Sequence, residues 1–292
     1  MIKFFVQPEA VSGAHIYIED KGDLKHLIKV LRAKIGDEVI ISDGEAWEYT
    51  TEIENLEPDC ATLKIVDSQK FATEPETLVT LYQGVPKGSK METVIQKCVE
   101  IGVHEIVPVF MERTVVVEKG NISKKVDRWQ KISDEAVKQC KRGIIPCVTN
   151  PINFREMLEQ LQSTDTCDLV LCPYENEDGR TIKAALSEFA KGCFAEGCFA
   201  KGYFAKDGAA DCDSVKGESG GDSFTKAESV KKPRGARVAI IIGPEGGFSD
   251  SEIEALKELS RPVEIVTLGR TILRTETAGP VALAMTMYEL EL

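Results

Sequence analysis

The residues Ile240-Ile241-Ile242-Gly243-Pro244-Glu245-Gly246-Gly247-Phe248-Ser249 join an apolar run to a glycine-rich turn, followed by Asp250, Glu252 and Glu254. Ser249 and Glu252 have the spacing of a capping box, so a helix is expected to start there. Glycines at the carboxyl end of a strand leave bare backbone that another molecule can approach, and open α/β sheets bind ligands at that end. A tight turn needing positive φ explains the same spacing equally well. Phosphate is a poor occupant: neither G-x-x-x-x-G-K-[ST] nor G-x-G-x-x-G is present, and Glu245 and the acids of the helix start repel it. A ligand read by backbone groups, such as adenine, or one carrying positive charge fits better.

A second cluster is Leu268-Gly269-Arg270-Thr271-Ile272-Leu273-Arg274-Thr275-Glu276-Thr277-Ala278, where another strand ends at a glycine. Taken alone, an ion pair near a helix start is the simpler account of Arg274 and Glu276. Two ligand-competent loops after two successive strands shift the balance toward one shared site. A third feature is basic: residues 119–142 carry Lys119, Lys124, Lys125, Arg128, Lys131, Lys138, Lys141 and Arg142 against Asp127, Asp134 and Glu135. On a helix, Lys124, Arg128, Lys131, Lys138 and Arg142 fall within an arc of about 80° opposite Trp129 and Ala136. Such a stripe is either a solvated face or a phosphate-backbone contact. Around Lys87, Gly88 and Ser89-Lys90-Met91-Glu92 a capping box and the stop at Gly102 predict a well-formed helix, while Lys87, Gln96, Lys97 and Glu100 are not explained by packing. Three histidines and no G-x-S-x-G elbow argue against a Ser-His-Asp hydrolase, and ligands for a metal site are lacking.

These clusters need a frame. From Leu78 onward apolar strands alternate with amphipathic helices: strands at 78–83, 105–111, 168–172, 237–242 and 263–268, helices at 89–101, 123–142, 153–162, 180–190, 250–259 and 277–290. That alternation predicts a parallel sheet covered on both faces. Residues 1–70 read as short strands with one helix, Lys21 to Ala33, whose Leu24, Leu27 and Leu31 share a face and whose Lys25, Lys29 and Arg32 share another. A small β-barrel with one helix is expected there, and 71–77 as a linker. Phe189-Ala-Lys-Gly-Cys, Phe194-Ala-Glu-Gly-Cys and Phe199-Ala-Lys-Gly-Tyr open a degenerate repeat and a Gly/Ser-rich tract, expected to be a mobile surface insertion at about 190–234.

The chain has 292 residues and a net charge of −12, which argues against a nonspecific polyanion binder but leaves room for a local basic face. No apolar run approaches the ~20 residues of a membrane span, and the first residues lack a signal-peptide pattern. Nine cysteines without metal spacing read as reduced thiols in a cytoplasmic protein.

The ensemble of motifs resembles the RsmE family of 16S rRNA uridine-N3 methyltransferases, members of the SPOUT superfamily. The matching stretches are Lys87-Gly88 with Met91-Glu92 and Gln96-Lys97; Glu112-Arg113-Thr114; Arg128-Trp129 through Arg142; Gly243 to Phe248; and Leu268-Gly269 through Ile272-Leu273-Arg274 with Glu276-Thr277-Ala278. His26-Leu27, Val30-Leu31-Arg32 and Gly36-Asp37 are similar to that family's PUA-like domain. The resemblance implies an α/β fold: a PUA-like β-barrel over 1–72, then a SPOUT-type parallel sheet with a C-terminal trefoil knot over 73–292. It implies S-adenosylmethionine as cofactor, held at Gly243, Pro244, Gly246, Gly247, Leu268, Gly269, Ile272 and Leu273, with loop 173–175 alongside. It implies Arg274, Glu245 and Glu276 as catalytic candidates, and 16S rRNA or the small ribosomal subunit as partner. Contacts to RNA are expected from Lys25, Lys29, Arg32, Lys87, Arg113, Arg128, Lys131 and Arg142. It further implies a homodimer with no metal and no membrane. Two alternatives remain at this point: a SPOUT enzyme acting on a ribose 2′-hydroxyl or another base, and a non-catalytic RNA-binding protein that keeps the fold.

Overall fold

A computed structural model describes residues 3–71, 73–115, 122–163, 167–195 and 235–291. Residues 3–70 form a six-stranded sheet from β1 (Lys3–Phe5), β2 (Val11–Ser12), β3 (His15–Ile18), β4 (Glu38–Ser42), β5 (Trp47–Leu56) and β6 (Ala61–Lys70). Its order is β1-β4-β5-β6-β3-β2, antiparallel except for the β1–β4 pair. Helix α1 (Lys21–Lys25) begins at Asp20, whose carboxylate accepts the N–H groups of Gly22 and Asp23, and continues as a π-helical turn over His26–Val30. Leu24 and Leu27 close the core on Phe4, Ile16, Ile41 and Leu63.

The second sheet is parallel throughout. It contains β7 (Leu78–Gly84), β8 (Glu105–Phe110), β9 (Cys147–Val148), β10 (Ile152–Asn153), β11 (Leu169–Pro173), β12 (Arg237–Ile242) and β13 (Val263–Val266) in the order β10-β8-β7-β12-β11-β13, with β9 also on β8. The two-residue strands β9 and β10 are not foreseen by the sequence, because two residues carry no alternation. Along β12, Val238, Ile240 and Ile242 face one core and Ala239 and Ile241 the other. A strand buried on both faces must be apolar at every position, which is why 238–242 reads as an unbroken run. The first core is covered by α2 (Lys90–Ile101), α3 (Ile122–Cys140), α5 (Ile182–Ala195) and α7 (Thr275–Glu291). The second lies under α4 (Phe154–Gln162) and α6 (Asp250–Lys257).

Three expectations are corrected here. Helix α5 ends at Ala195 and not at the expected 190, and Phe189 packs against the first core, so the repeat opens within a helix. The remainder, 196–234, lies outside the described residues. At the start of α2, Ser89 makes no side-chain capping bond; Glu92, instead of closing a capping box, pairs with Arg128 of α3 at 2.8 Å. The α3 stripe also ends early. Past Cys140, Lys141 adopts φ +62 and the chain turns, so the helical wheel no longer applies to Arg142.

Arg142 is buried. It pairs with Glu74 at 2.7 Å and donates to the carbonyls of Val99 and Val103 at 3.1 and 2.8 Å. Glu74 in turn accepts the N–H groups of Gly143 and Ile144. The same corner holds the first sheet: Ser42 Oγ donates to Gly143 O at 2.6 Å, and Lys3 Nζ to the carbonyls of Lys141 and Arg142. Arg142 therefore fastens the two sheets' junction and is not a surface contact for RNA. No helix among the described residues is long and apolar enough to cross a membrane.

Candidate active site

All the strands of the second sheet point the same way, so the loops after β7, β11, β12 and β13 emerge at one end. The strand order places β11 between β12 and β13. Loops 243–247 and 268–274 therefore flank loop 173–175 within two strand spacings, about 10 Å. They are joined directly: Thr275 Oγ1 donates to Gly243 O at 2.7 Å and accepts from Gln83 Nε2 at 2.9 Å. Gln83 is fully buried, and its amide orientation follows from its second bond, to the Gly84 carbonyl, which requires an N–H.

Loop 243–247 is closely packed. Gly246 lies against Arg113, where an added Cβ would stand 2.8 Å from the Arg113 Cβ. Gly247 has φ +69, and a Cβ there would stand 2.3 Å from Glu175 Oε1. Gly246 is thus needed for close approach, because Arg113 presents its Cβ and backbone oxygen there, and Gly247 for its backbone conformation, since the exposed Glu175 carboxylate can swing away. Pro244 and Phe248 are buried, and Phe248 makes an edge-on ring contact with Tyr174. The expected capping box is present: Ser249 Oγ accepts from Glu252 N, and Glu252 Oε2 accepts from Ser249 N. Loop 268–274 contrasts with it. Gly269 (φ +145) has open space where a Cβ would be, Ile272 is 81% exposed, and the Arg274 side chain is 83% exposed. Leu268 and Leu273 are half-buried.

The charges are arranged around Lys90, which the sequence had not singled out. Lys90 Nζ is 3.0 Å from Glu245 Oε1 and 3.6 Å from Glu276 Oε2, while Arg274 reaches Glu276 Oε1 at 4.0 Å. Burial pushes the Glu245 carboxyl up, but the Lys87 N–H and the Lys90 ammonium outweigh it and hold the group below its ordinary value. The available signal for Lys90 was its place one turn after Lys87, on the first turn of a helix that follows a strand end. Thr275 and Gln83 were also missed, since they act through partners distant in sequence.

Bare glycine backbone, the apolar side chains of Leu268, Ile272 and Leu273, and two carboxylates make a poor cradle for phosphate. They suit a flat apolar base together with a cationic group. No cluster of His, Cys, Asp or Glu able to hold a metal ion occurs among the described residues.

The model of the RNA methyltransferase domain matches residues 73–202 and 203–287, and that of the RNA methyltransferase PUA domain matches 18–66. The chain belongs to the RNA methyltransferase family. This RNA methyltransferase is 27% identical over 295 residues to the ribosomal RNA small subunit methyltransferase E of Bacillus subtilis, covering 100% of this chain and 98% of that protein. With the enzyme of the same name from Synechocystis it shares 26% identity over 282 residues, 97% of this chain and 76% of the other. Among solved structures it is similar to the Neisseria gonorrhoeae ribosomal RNA small subunit methyltransferase E bound to S-adenosylmethionine, with TM-score 0.68 and 25% identity over 99% of this chain and 97% of that one. A Legionella pneumophila methyltransferase in complex with the same cofactor has TM-score 0.64 and 26% identity, covering 98% and 97%.

The residues expected to contact RNA divide into groups. Lys25, Lys29 and Arg32 are exposed on and just after α1; Lys131 is exposed on α3. The charge of Lys138 on α3 opposes the upward push of burial on the Asp23 carboxyl of α1. Lys87 and Arg113 stand at the rim of loop 243–247, and Arg128 is exposed but paired with Glu92. Arg142 alone lies in the interior.

Proposed function

We propose that this RNA methyltransferase transfers a methyl group from S-adenosylmethionine to N3 of a uridine in the 16S rRNA of the small ribosomal subunit. The observation that carries the reading is the tie between two ligand loops, Thr275 to Gly243, at the carboxyl end of a parallel sheet. The full-length similarity to enzymes named for small-subunit rRNA methylation supports the choice of substrate. In this reading the chain is organised as a PUA-like RNA-binding unit over 1–72 and a SPOUT methyltransferase unit over 73–292, with the cofactor loops forming a trefoil knot. It works in the cytoplasm as a homodimer, and exposed Ile272 and Tyr288 offer the apolar contact that a second copy would cover.

When bound, S-adenosylmethionine supplies an electrophilic methyl group on a sulfonium. Gly243, Pro244, Gly246 and Gly247 would hold it on one side, and Leu268, Gly269, Ile272 and Leu273 on the other. N3 of uridine is an imide N–H on the pairing edge of the base, so the base must leave any duplex before reaction. A protonated imide is a poor nucleophile. Arg274 carries an exposed guanidinium at the mouth of the site, placed to stabilise charge developing on O2 or O4. A carboxylate, Glu245 or Glu276, takes the proton. Lys25, Lys29, Arg32, Lys87, Arg113, Arg128 and Lys131 hold the RNA backbone.

Nucleoside mass spectrometry of unmodified small-subunit particles incubated with protein and cofactor tests this. New 3-methyluridine is expected, lost on Arg274→Ala with no change in melting temperature. A different methylated nucleoside would reject uridine N3 as the target. Bound cofactor with no methylation of particles or free RNA would reject catalysis.

A further inference from the structure

The two carboxylates of the site differ in what holds them. Glu245 Oε1 accepts the backbone N–H of Lys87 at 2.9 Å and the Lys90 ammonium at 3.0 Å, and these bonds tie it to the start of α2. Glu276, on the first turn of α7, receives no hydrogen bond among the described residues. Its Oε2 is buried without a hydrogen-bond partner, and its Oε1 has only the Arg274 guanidinium, at 4.0 Å. Lys90 spans both groups, but at 3.6 Å its contact with Glu276 Oε2 is outside hydrogen-bond range. An ammonium has three donors, and a buried carboxylate oxygen without one is costly, so closing that gap is favourable.

We infer that Lys90 is the positioning residue of this site and that Glu276, not Glu245, is the carboxylate facing the substrate. Lys90 draws in the buried Oε2 and thereby turns Oε1 toward the base to be methylated. This rests on the transfer to uridine N3 proposed above. The N3–H proton passes to Glu276 Oε1 as the N3 electron pair forms the bond to the methyl carbon. The carbon–sulfur bond breaks with its pair left on sulfur, which becomes a neutral thioether. The carboxylate and sulfonium charges disappear together, and the proton leaves later to water. Arg274 and Lys90 keep the other oxygens and the carboxylate in place, while Glu245 holds Lys90 at the correct distance.

Among the described residues, Lys90 of α2 and Arg274 are the charged groups in contact with Glu276, and Glu245 shares Lys90 with it. In single-turnover assays Glu276→Gln is expected to lower the rate about 10²- to 10⁴-fold and to remove the acid limb of the pH profile. Lys90→Met should lower the rate at least about tenfold, because its ammonium no longer holds Oε2. Lys90→Arg should restore most of that loss, and Glu245→Gln should keep the limb. A second readout needs neither cofactor nor turnover. In protein labelled with 13C at glutamate carboxyls, the resonance lost in Glu276→Gln should change position in Lys90→Met at constant neutral pH and return toward its place in Lys90→Arg. An acid limb that survives in Glu276→Gln, or a rate and a resonance both unmoved by Lys90→Met, overturns the inference. Should the unmodified protein methylate a nucleoside other than uridine, the target reading falls, and the carboxyl resonance still decides for or against the role of Lys90.

Discussion

The loop after β12 and the loop after β13 leave the same end of the sheet, yet their surroundings differ in kind. Loop 243–247 is held by elements from across the chain: Arg113 donates to Gly246 O, Glu175 abuts Gly247, and Lys87 and Lys90 hold Glu245. Loop 268–274 bonds mainly to itself and to the first turn of α7, through Thr267 with Gly269 and Arg274 O with Thr277 and Ala278. One wall of the site is therefore organised before any ligand arrives. The other leaves Gly269, Ile272 and Arg274 exposed. A preformed wall saves ordering entropy on binding, while an exposed one can close over a base after it enters.

The largest expected effect comes from disturbing the braced wall at its root. A Cβ on Gly84 would stand 2.6 Å from Pro244 N, 2.8 Å from Gly243 C and 2.9 Å from Ile242 O. All three are backbone atoms that cannot rotate away, so Gly84→Ala should cost about 3 kcal/mol, read as a lower melting temperature by calorimetry. An unchanged melting temperature would show that this wall is not rigid. A smaller effect comes through pH. The Glu245 carboxyl is held below its ordinary value of 4.5, burial being outweighed by Lys87 and Lys90. Its contribution to stability is thus fully present above pH 4.5 and is lost as pH falls through the lowered value. Amide exchange, corrected for intrinsic rates, should accelerate in 243–247 relative to 268–274 on acidification below that point. Parallel acceleration in both loops would remove the distinction between them. The smallest effect on folding is expected at the open wall. Ile272→Ser should change stability by less than about 0.5 kcal/mol, since the side chain is 81% exposed. In the homodimer proposed above, sedimentation should nonetheless show weakened self-association, and unaltered association would separate Ile272 from that proposed contact.

Much of the frame could be read in the residues. Alternating apolar runs located β7, β8, β11, β12 and β13, and Ser249 with Glu252 marked the start of α6 with both reciprocal bonds in place. Gly102 ends α2 at φ +119, as its position after the last apolar residue suggested. The errors have a common cause. Ser89 and Glu92 have capping-box spacing, but Glu92 is recruited by Arg128 of another helix. Arg142 fits the basic stripe of α3 only if the helix continues, and Lys141 at φ +62 ends it. Phe189 and its repeat read as low complexity, although the first core has room for the ring.

Local spacing determines period, cap and turn, because those depend on φ, ψ and neighbours within a few residues. For that reason the sequence alone was enough to place bare glycine backbone at two strand ends and an acidic helix start beside one of them. Which charges meet there depended on the order of strands in space. Lys90 and Glu245 are 155 residues apart and are brought to 3.0 Å only because β12 lies against β7, while the start of α7 returns to the same strand ends. The burial of Arg142 against Glu74 was decided in the same way, by a turn whose only visible cause is the packing of two sheets at one corner.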